Sequence, residues 1–373
     1  MPAAPPREVE DVLVRRVAER AEEWLPGLGP RPSVRLHLLR ERPRALLYRV
    51  EVANGHRPSR LLAKVRRGWP GEAQAAGARP RLAPDLLPAA EQTALEFTGL
   101  SAIHAMFGGS EEFGAVRPLD HLAAEDAIIM EYVQAPTVRE LLVRGRGPSP
   151  AVARTARRRR EDACRRSGAW LSSFQRRMPA ADLPARQATR EEVVDRFEAF
   201  TEFLTRRLGA GAVGGAARSG ARLAADVLPA RPALAVGHGD FAPRNLFALA
   251  DGRVAVFDPL CRWQVPRFED LCRFLVAVRL QGSQVHTHGV AYGSGELDRR
   301  EAALIDGYGG GQQLPVAELR CYQLLITLDR WCALVDAPAS SPLGRLRAAA
   351  VVRASGYLRR ETRRLVELAQ SAR

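Results

Sequence analysis

Between Ala235 and Leu260 the chain reads AVGHGDFAPRNLFALADGRVAVFDPL. This stretch holds two carboxylates and one carboxamide at fixed spacing. Asp240 follows His238-Gly239, Asn245 comes five residues after Asp240, and Asp258 thirteen after Asn245. Phosphoryl transfer is a chemistry that needs such a set, because the protein has little covalent work to do there. It holds a metal ion against nucleotide phosphates and orients an acceptor hydroxyl. Mg²⁺ takes oxygen ligands and usually only one or two protein carboxylates. Asp258 and Asn245 suit that role, which leaves Asp240 to accept the hydroxyl proton. Any one of these residues alone reads as a cap or turn residue. The three together, at this spacing, carry the functional reading.

The pattern H-G-D-x-x-x-x-N followed by an Asp resembles the aminoglycoside phosphotransferase and choline kinase group, relatives of the protein kinases. Protein kinases carry H-R-D-x-x-x-x-N and D-F-G. Here Gly239 replaces the Arg, and Asp258-Pro259-Leu260 stands where D-F-G would be. That favours the small-molecule branch. The resemblance implies an α+β, protein-kinase-like two-lobed fold, with a five-stranded antiparallel N-lobe sheet and a mainly helical C-lobe. It implies an N-terminal helix over 1–30, a nucleotide-binding N-lobe over 31–133 and a C-lobe over 134–373. The implied cofactors are ATP and Mg²⁺. Asp240 is then the catalytic base, Asn245 and Asp258 are the metal ligands, and His238 and Asp270 support the catalytic loop. Asp270 lies in Pro266-x-x-x-Asp270-Leu271, which matches a family position.

The elements that must position these residues are readable in order. Residues 7–25 carry Val9, Val12, Leu13, Val17 and Trp24 near one helical face. Val34, Leu36 and Leu38 alternate with polar residues, as do Leu46, Tyr48, Val50 and Val52, with a hairpin turn at Asn54-Gly55. Leu61 to Val65 reads as a third strand. It contains Lys64, the only lysine in the chain. Arginine is used at every other cationic position outside histidine, so an ammonium here points to a specific need. Leu61-Leu62-Ala63-Lys64-Val65 resembles the V-A-I-K strand that contacts nucleotide phosphates. The segment 40–45 between the first two strands has no glycine, a departure from the glycine-rich loop of protein kinases. Residues 66–88 read as a loop. A helix over 88–107 should carry the acid that pairs with Lys64. Glu91 and Glu96 both qualify, and Glu96-Phe97-x-x-Leu100 better resembles the family helix. Strands over 116–119 and 127–133 complete the sheet. Ile128 to Val133 resembles the hinge whose backbone reads adenine, at Glu131 and Val133.

In the C-lobe, Thr137 to Val143 reads as a short helix. The basic run 154–160 precedes Gly168-x-Trp170-Leu171-x-x-Phe174, which resembles a long central helix. Residues 205–233 read as a flexible connection plus a helix. Leu234 to Val236 leads into the motif. A hairpin closes at Asp251-Gly252 between Leu246–Leu249 and Val254–Phe257. Phe274 to Leu280 continues as a buried helix, 281–296 as a polar loop, and two or three helices follow.

Composition limits the partners. The net charge is +14, but the arginines are dispersed and no nucleic-acid-binding signature accompanies them, so no nucleic-acid partner is expected. No run approaches the length of a membrane span and the N-terminus has no signal-peptide core. The five cysteines form no C-x-x-C pair and read as free thiols. A cytoplasmic enzyme is the expectation. Its acceptor is a hydroxylated small molecule, and the basic charge favours a sugar, nucleoside or polyol over a polycationic aminoglycoside. Two other readings stand beside it: a catalytically silent, kinase-like nucleotide-binding module, and a protein kinase. Oligomeric state is open.

Overall fold

The structure, a computed structural model, describes residues 7–29, 31–54, 58–68, 79–83, 87–143, 150–180, 182–336 and 344–372. Gly55 of the expected Asn54-Gly55 turn and much of the expected 66–88 loop lie outside these residues. The chain falls into two units. One takes its described residues from Met1–Gln74, Leu86–Ala135 and Ala255–Leu260, the other from Ala75–Asp85, Pro136–Val254 and Cys261–Arg373.

The first unit opens with helix α1 (Arg7–Trp24), followed by strands β1 (Ser33–Arg42), β2 (Ala45–Ala53) and β3 (Ser59–Arg66). Helix α2 (Ala89–Phe107) leads to the short β4 (Gly114–Ala115), then β5 (Pro118–Leu122) and β6 (Ala127–Glu131). Five strands form one antiparallel sheet in the order β1-β2-β3-β6-β5, as expected from the sequence. The period-2 alternation decides its faces. Leu46, Tyr48, Val50 and Val52 of β2 and Leu61, Ala63 and Val65 of β3 point to one side and pack against Leu13, Val17, Ala21 and Trp24 of α1. Fully burying each large apolar side chain contributes roughly 1.5–3 kcal/mol. On β3, Lys64 and Arg66 fall on the opposite face by the same alternation, and both are buried.

Three boundaries differ from the sequence reading. β1 and β2 run to a two-residue turn at Pro43-Arg44, so the expected 40–45 loop is a tight hairpin. β5 begins at Pro118, two residues later than expected, because Gly114-Ala115 pairs in parallel with Ala255 and Val256 instead. β6 ends at Glu131 rather than Val133.

The second unit is mainly helical: α3 (Val138–Val143), α4 (Pro150–Arg177), α5 (Arg190–Leu208), α6 (Ala210–Val227), α7 (Glu269–Arg279), α8 (Ser294–Gly309), α9 (Val316–Asp336) and α10 (Gly344–Ser371). The basic run 154–160 lies inside α4. The segment 205–233, expected as a flexible connection plus a helix, is largely helix, with a break inside α6 where Gly214 adopts φ +78°. Short strands β7 (Leu234–Val236) and β10 (Gln264–Pro266) pair antiparallel. Strand β8 (Leu246–Ala248) leads into the Asp251-Gly252 turn, where Leu249 and Arg253 bond through N–H to O at 2.9 Å, and β9 (Val254–Val256) follows. α4 and α8 approach through two glycines. A Cβ on Gly168 would sit 2.1 Å from the Leu304 carbonyl oxygen, and one on Gly307 would sit 1.9 Å from that of Arg165. All five cysteines are buried and unpaired as disulfides.

Candidate active site

In the first unit, one buried cluster gathers four charges. Lys64 Nζ donates to Glu96 Oε1 at 2.7 Å and Oε2 at 2.8 Å, and to Asp258 Oδ1 at 2.7 Å. Arg66 Nη2 donates to Glu96 Oε2 at 2.5 Å and to Asp258 Oδ1 at 2.9 Å. Glu96 is fully buried on α2, whereas Glu91 is exposed at the start of the same helix. The acid against Lys64 is therefore Glu96. Burying one charge is costly, but two cations against two carboxylates leave the cluster neutral, with its lone pairs engaged. Asp258 lies past β9 at φ +63°, a left-handed conformation that Asp tolerates better than most residues.

Arg66 was missed from the sequence. It stands two residues after Lys64 on a strand, so it shares a face with it. That spacing was the available signal. It was masked because arginine is common throughout the chain.

At the other end of this sheet, the Glu131 N–H donates to the Arg117 carbonyl at 2.9 Å, and Glu131 Oε1 accepts the Arg117 N–H at 2.9 Å. The Val133 carbonyl accepts the Ala135 N–H at 3.0 Å.

In the second unit, β7 delivers the chain into the His238–Asn245 loop. The backbone N–H of His238 donates to Asp270 Oδ2 at 2.5 Å, which ties the loop to the first turn of α7. The His238 ring is fully buried, edge-on to Phe174 and Phe241. Gly239 adopts φ +90°, a conformation open to glycine and strained for arginine. A 3₁₀ turn, Pro243–Asn245, closes the loop. Asn245 is buried, and its Nδ2 donates to Asp240 Oδ2 at 2.8 Å and to the Asp240 carbonyl at 2.9 Å. This leaves the Asn245 carboxamide oxygen as its acceptor atom. Arg244 Nη2 bonds both oxygens of Asp240, Oδ2 at 2.6 Å. Asp240 keeps part of its surface exposed.

Burial pushes the Asp270 carboxyl up to about 6. Its Oδ1 has no hydrogen-bond partner among the described residues, so a proton can be held there without breaking the bond from His238.

Mg²⁺ is a hard cation that prefers oxygen donors and keeps several waters. The Asp258 carboxylate and the Asn245 carboxamide oxygen have the right chemistry. Among the described residues there is no group of three or more His, Cys, Asp or Glu side chains arranged to hold a metal. Such a cage is not what a metal shared with nucleotide phosphates requires.

No protein-family model matches the sequence, and no curated protein sequence matches it. Solved structures do match. A choline kinase from Cryptosporidium parvum aligns over 97% of this chain and 97% of its own, at 10% identity and a TM-score of 0.53. A choline/ethanolamine kinase family protein from Mesorhizobium loti aligns over 97% and 99%, at 15% identity and a TM-score of 0.50. The chain has the protein-kinase-like fold. An amicoumacin kinase in complex with AMP-PNP, Ca²⁺ and Ami shares it over 95% of this chain and 96% of that one, at 10% identity and a TM-score of 0.51. The fold read from the H-G-D motif is thus the fold found. No described helix is long and apolar enough to cross a membrane.

Proposed function

We propose that this kinase-fold chain is an ATP- and Mg²⁺-dependent O-phosphotransferase acting on a small hydroxylated molecule. The observation that carries the reading is the placement of Lys64. The only lysine in the chain is held between Glu96 and Asp258 at 2.7 Å from each. A buried ammonium fixed by one carboxylate, with a second carboxylate beside it, is what nucleotide phosphates and their metal require.

Lys64, oriented by Glu96, contacts the nucleotide phosphates. Asp258 contributes a carboxylate to the metal, and Asn245 its carboxamide oxygen. A metal held by these two residues would neutralise charge on the transferring phosphoryl group. Asp240 orients the acceptor hydroxyl and accepts its proton. His238 and Asp270 hold the loop that carries Asp240. The backbone at Glu131 and Val133 reads the adenine. The acceptor is a neutral or anionic molecule, such as a sugar, nucleoside or polyol, in preference to a polycationic aminoglycoside. The acids that would suit a polycation, Glu191, Asp195, Glu198 and Glu202, lie exposed along α5, and Glu202 is paired with Arg206 at 3.2 Å. Expression in a sensitive host tests the preference: a strong rise in aminoglycoside resistance would overturn it.

A further inference from the structure

We propose that the acceptor is an anion: a hydroxylated molecule bearing a carboxylate or phosphate, held through that group by Arg244 and Arg330. This rests on the phosphotransferase reading and on Asp240 as the residue that meets the acceptor hydroxyl.

The carboxylate of Asp240 is not bare. Arg244 reaches both of its oxygens, and Asn245 adds a bond to Oδ2 at 2.8 Å. The guanidinium therefore occupies both of the oxygens that would meet the acceptor hydroxyl. Arg244 is about one-third exposed, at 34%, so it is free to leave for a better partner. An incoming oxyanion is such a partner, since the guanidinium fork matches carboxylate and phosphate alike. Transfer of Arg244 from Asp240 to the acceptor would anchor the acceptor and release the base in one movement.

Arg330 supplies the second cation. It lies on α9, partly buried, with Asp240, Arg244, Asp329 and Arg273 as its charged neighbours. Arg273 and Asp329 each have a fixed partner. Arg273 is bonded to Glu269 at 2.7 Å, and Asp329 is paired with Arg79 at 3.6 Å. Among the described residues no hydrogen bond or ion pair holds Arg330, and its interactions with Asp329 and Asp240 are electrostatic only. Burial, with Arg273 nearby, lowers its guanidinium pKa. A partly buried cation near Asp240, with no carboxylate hydrogen-bonded to it, favours an anion and repels the quaternary or primary ammonium of a cationic acceptor.

The same two arginines could instead take the γ-phosphate of the nucleotide, so the test separates the two oxyanions. Full-length wild type, Arg330→Gln, Arg330→Lys and Arg244→Gln are first titrated with a fluorescent ATP analogue and Mg²⁺. They are then offered matched pairs, glycerate with glycerol and glucose 6-phosphate with glucose, and choline as a cation. Phosphate transfer from γ-labelled ATP and equilibrium binding by calorimetry are followed independently, and thermal melts confirm folding.

The anionic member of a pair should be preferred. Arg330→Gln should weaken its use about 10- to 100-fold, through KM rather than kcat. Arg330→Lys should recover part of the loss, and nucleotide affinity should stay within about twofold. Loss of nucleotide affinity in step with activity would assign the arginines to the γ-phosphate and overturn the proposal. Equal or better use of glycerol, glucose or choline would overturn it too, while keeping the phosphotransferase reading. Anion-selective binding that is lost in Arg330→Gln, without transfer to anything, would keep the anion site and sink the phosphotransferase reading. Neither binding nor transfer of any anion would overturn the proposal.

Discussion

Arg66 donates to Glu96, Nη2 to Oε2, at 2.5 Å inside the first unit. The same carboxylate takes Lys64 through both oxygens. A carboxylate this deeply buried therefore has two cations, and the second is the one that stays if Lys64 turns to a nucleotide. Arg66→Met should destabilise the chain by about 2 to 3 kcal/mol, because it leaves the cluster one cation short in a desolvated place. Urea unfolding of the two proteins measures this. A shift below about 0.5 kcal/mol, the usual scatter of surface changes, would show that Arg66 is dispensable there.

The two acids of α2 should separate cleanly. Glu96→Gln removes the charge that fixes Lys64 and should raise KM for ATP about 10- to 100-fold. Glu91→Gln, on the exposed first turn, should leave it within about twofold. Steady-state kinetics at fixed acceptor decide. Equal effects would mean that Lys64 is not oriented through Glu96.

Asp270 makes stability depend on pH in an unusual direction. Its folded pKa of about 6 lies above the ordinary carboxyl value of 3.8. Between those two values the folded chain binds more protons than the unfolded one. This group's contribution is therefore full below about 4 and falls as pH rises towards 6, by roughly 3 kcal/mol. Chemical denaturation across pH 4 to 7 should show wild type losing stability relative to Asp270→Asn in that window. Parallel curves would contradict the assignment.

Gly307 is a packing requirement. Gly307→Ala places a methyl 1.9 Å from the Arg165 carbonyl oxygen, so α8 must move away from α4. The expected cost is about 1 to 3 kcal/mol, with the secondary structure retained. Thermal melts followed by circular dichroism provide the check, and an unchanged midpoint would count against so close a helix contact.

The sheet was legible in the sequence because its inner face is a strict alternation. Leu46, Tyr48, Val50 and Val52 leave little choice of register. Helix α1 was legible for the same kind of reason, from the periodic spacing of Leu13, Val17 and Trp24. The 205–233 segment was legible only in part. A helix was expected there, but its Ala and Gly content also reads as a flexible connection, and packing that buries Val213, Ala217, Leu223 and Ala224 carries helix over most of it. Lys64 was conspicuous by residue type, being unique. Arg66, Arg244 and Arg330 were not, since an arginine acquires meaning only from the partner that folding brings to it. In a chain with a net charge of +14, composition offers no contrast against which to notice three of them.

The most direct test of the central claim is phosphate transfer from γ-labelled ATP and Mg²⁺ to a panel of sugars, sugar acids, nucleosides, polyols, amino alcohols and aminoglycosides. Asp240→Ala and Asp258→Ala serve as folded controls. The account predicts transfer to one acceptor class, reduced about 100- to 10,000-fold in Asp240→Ala and nearly abolished in Asp258→Ala. Transfer that survives intact in both variants would contradict it.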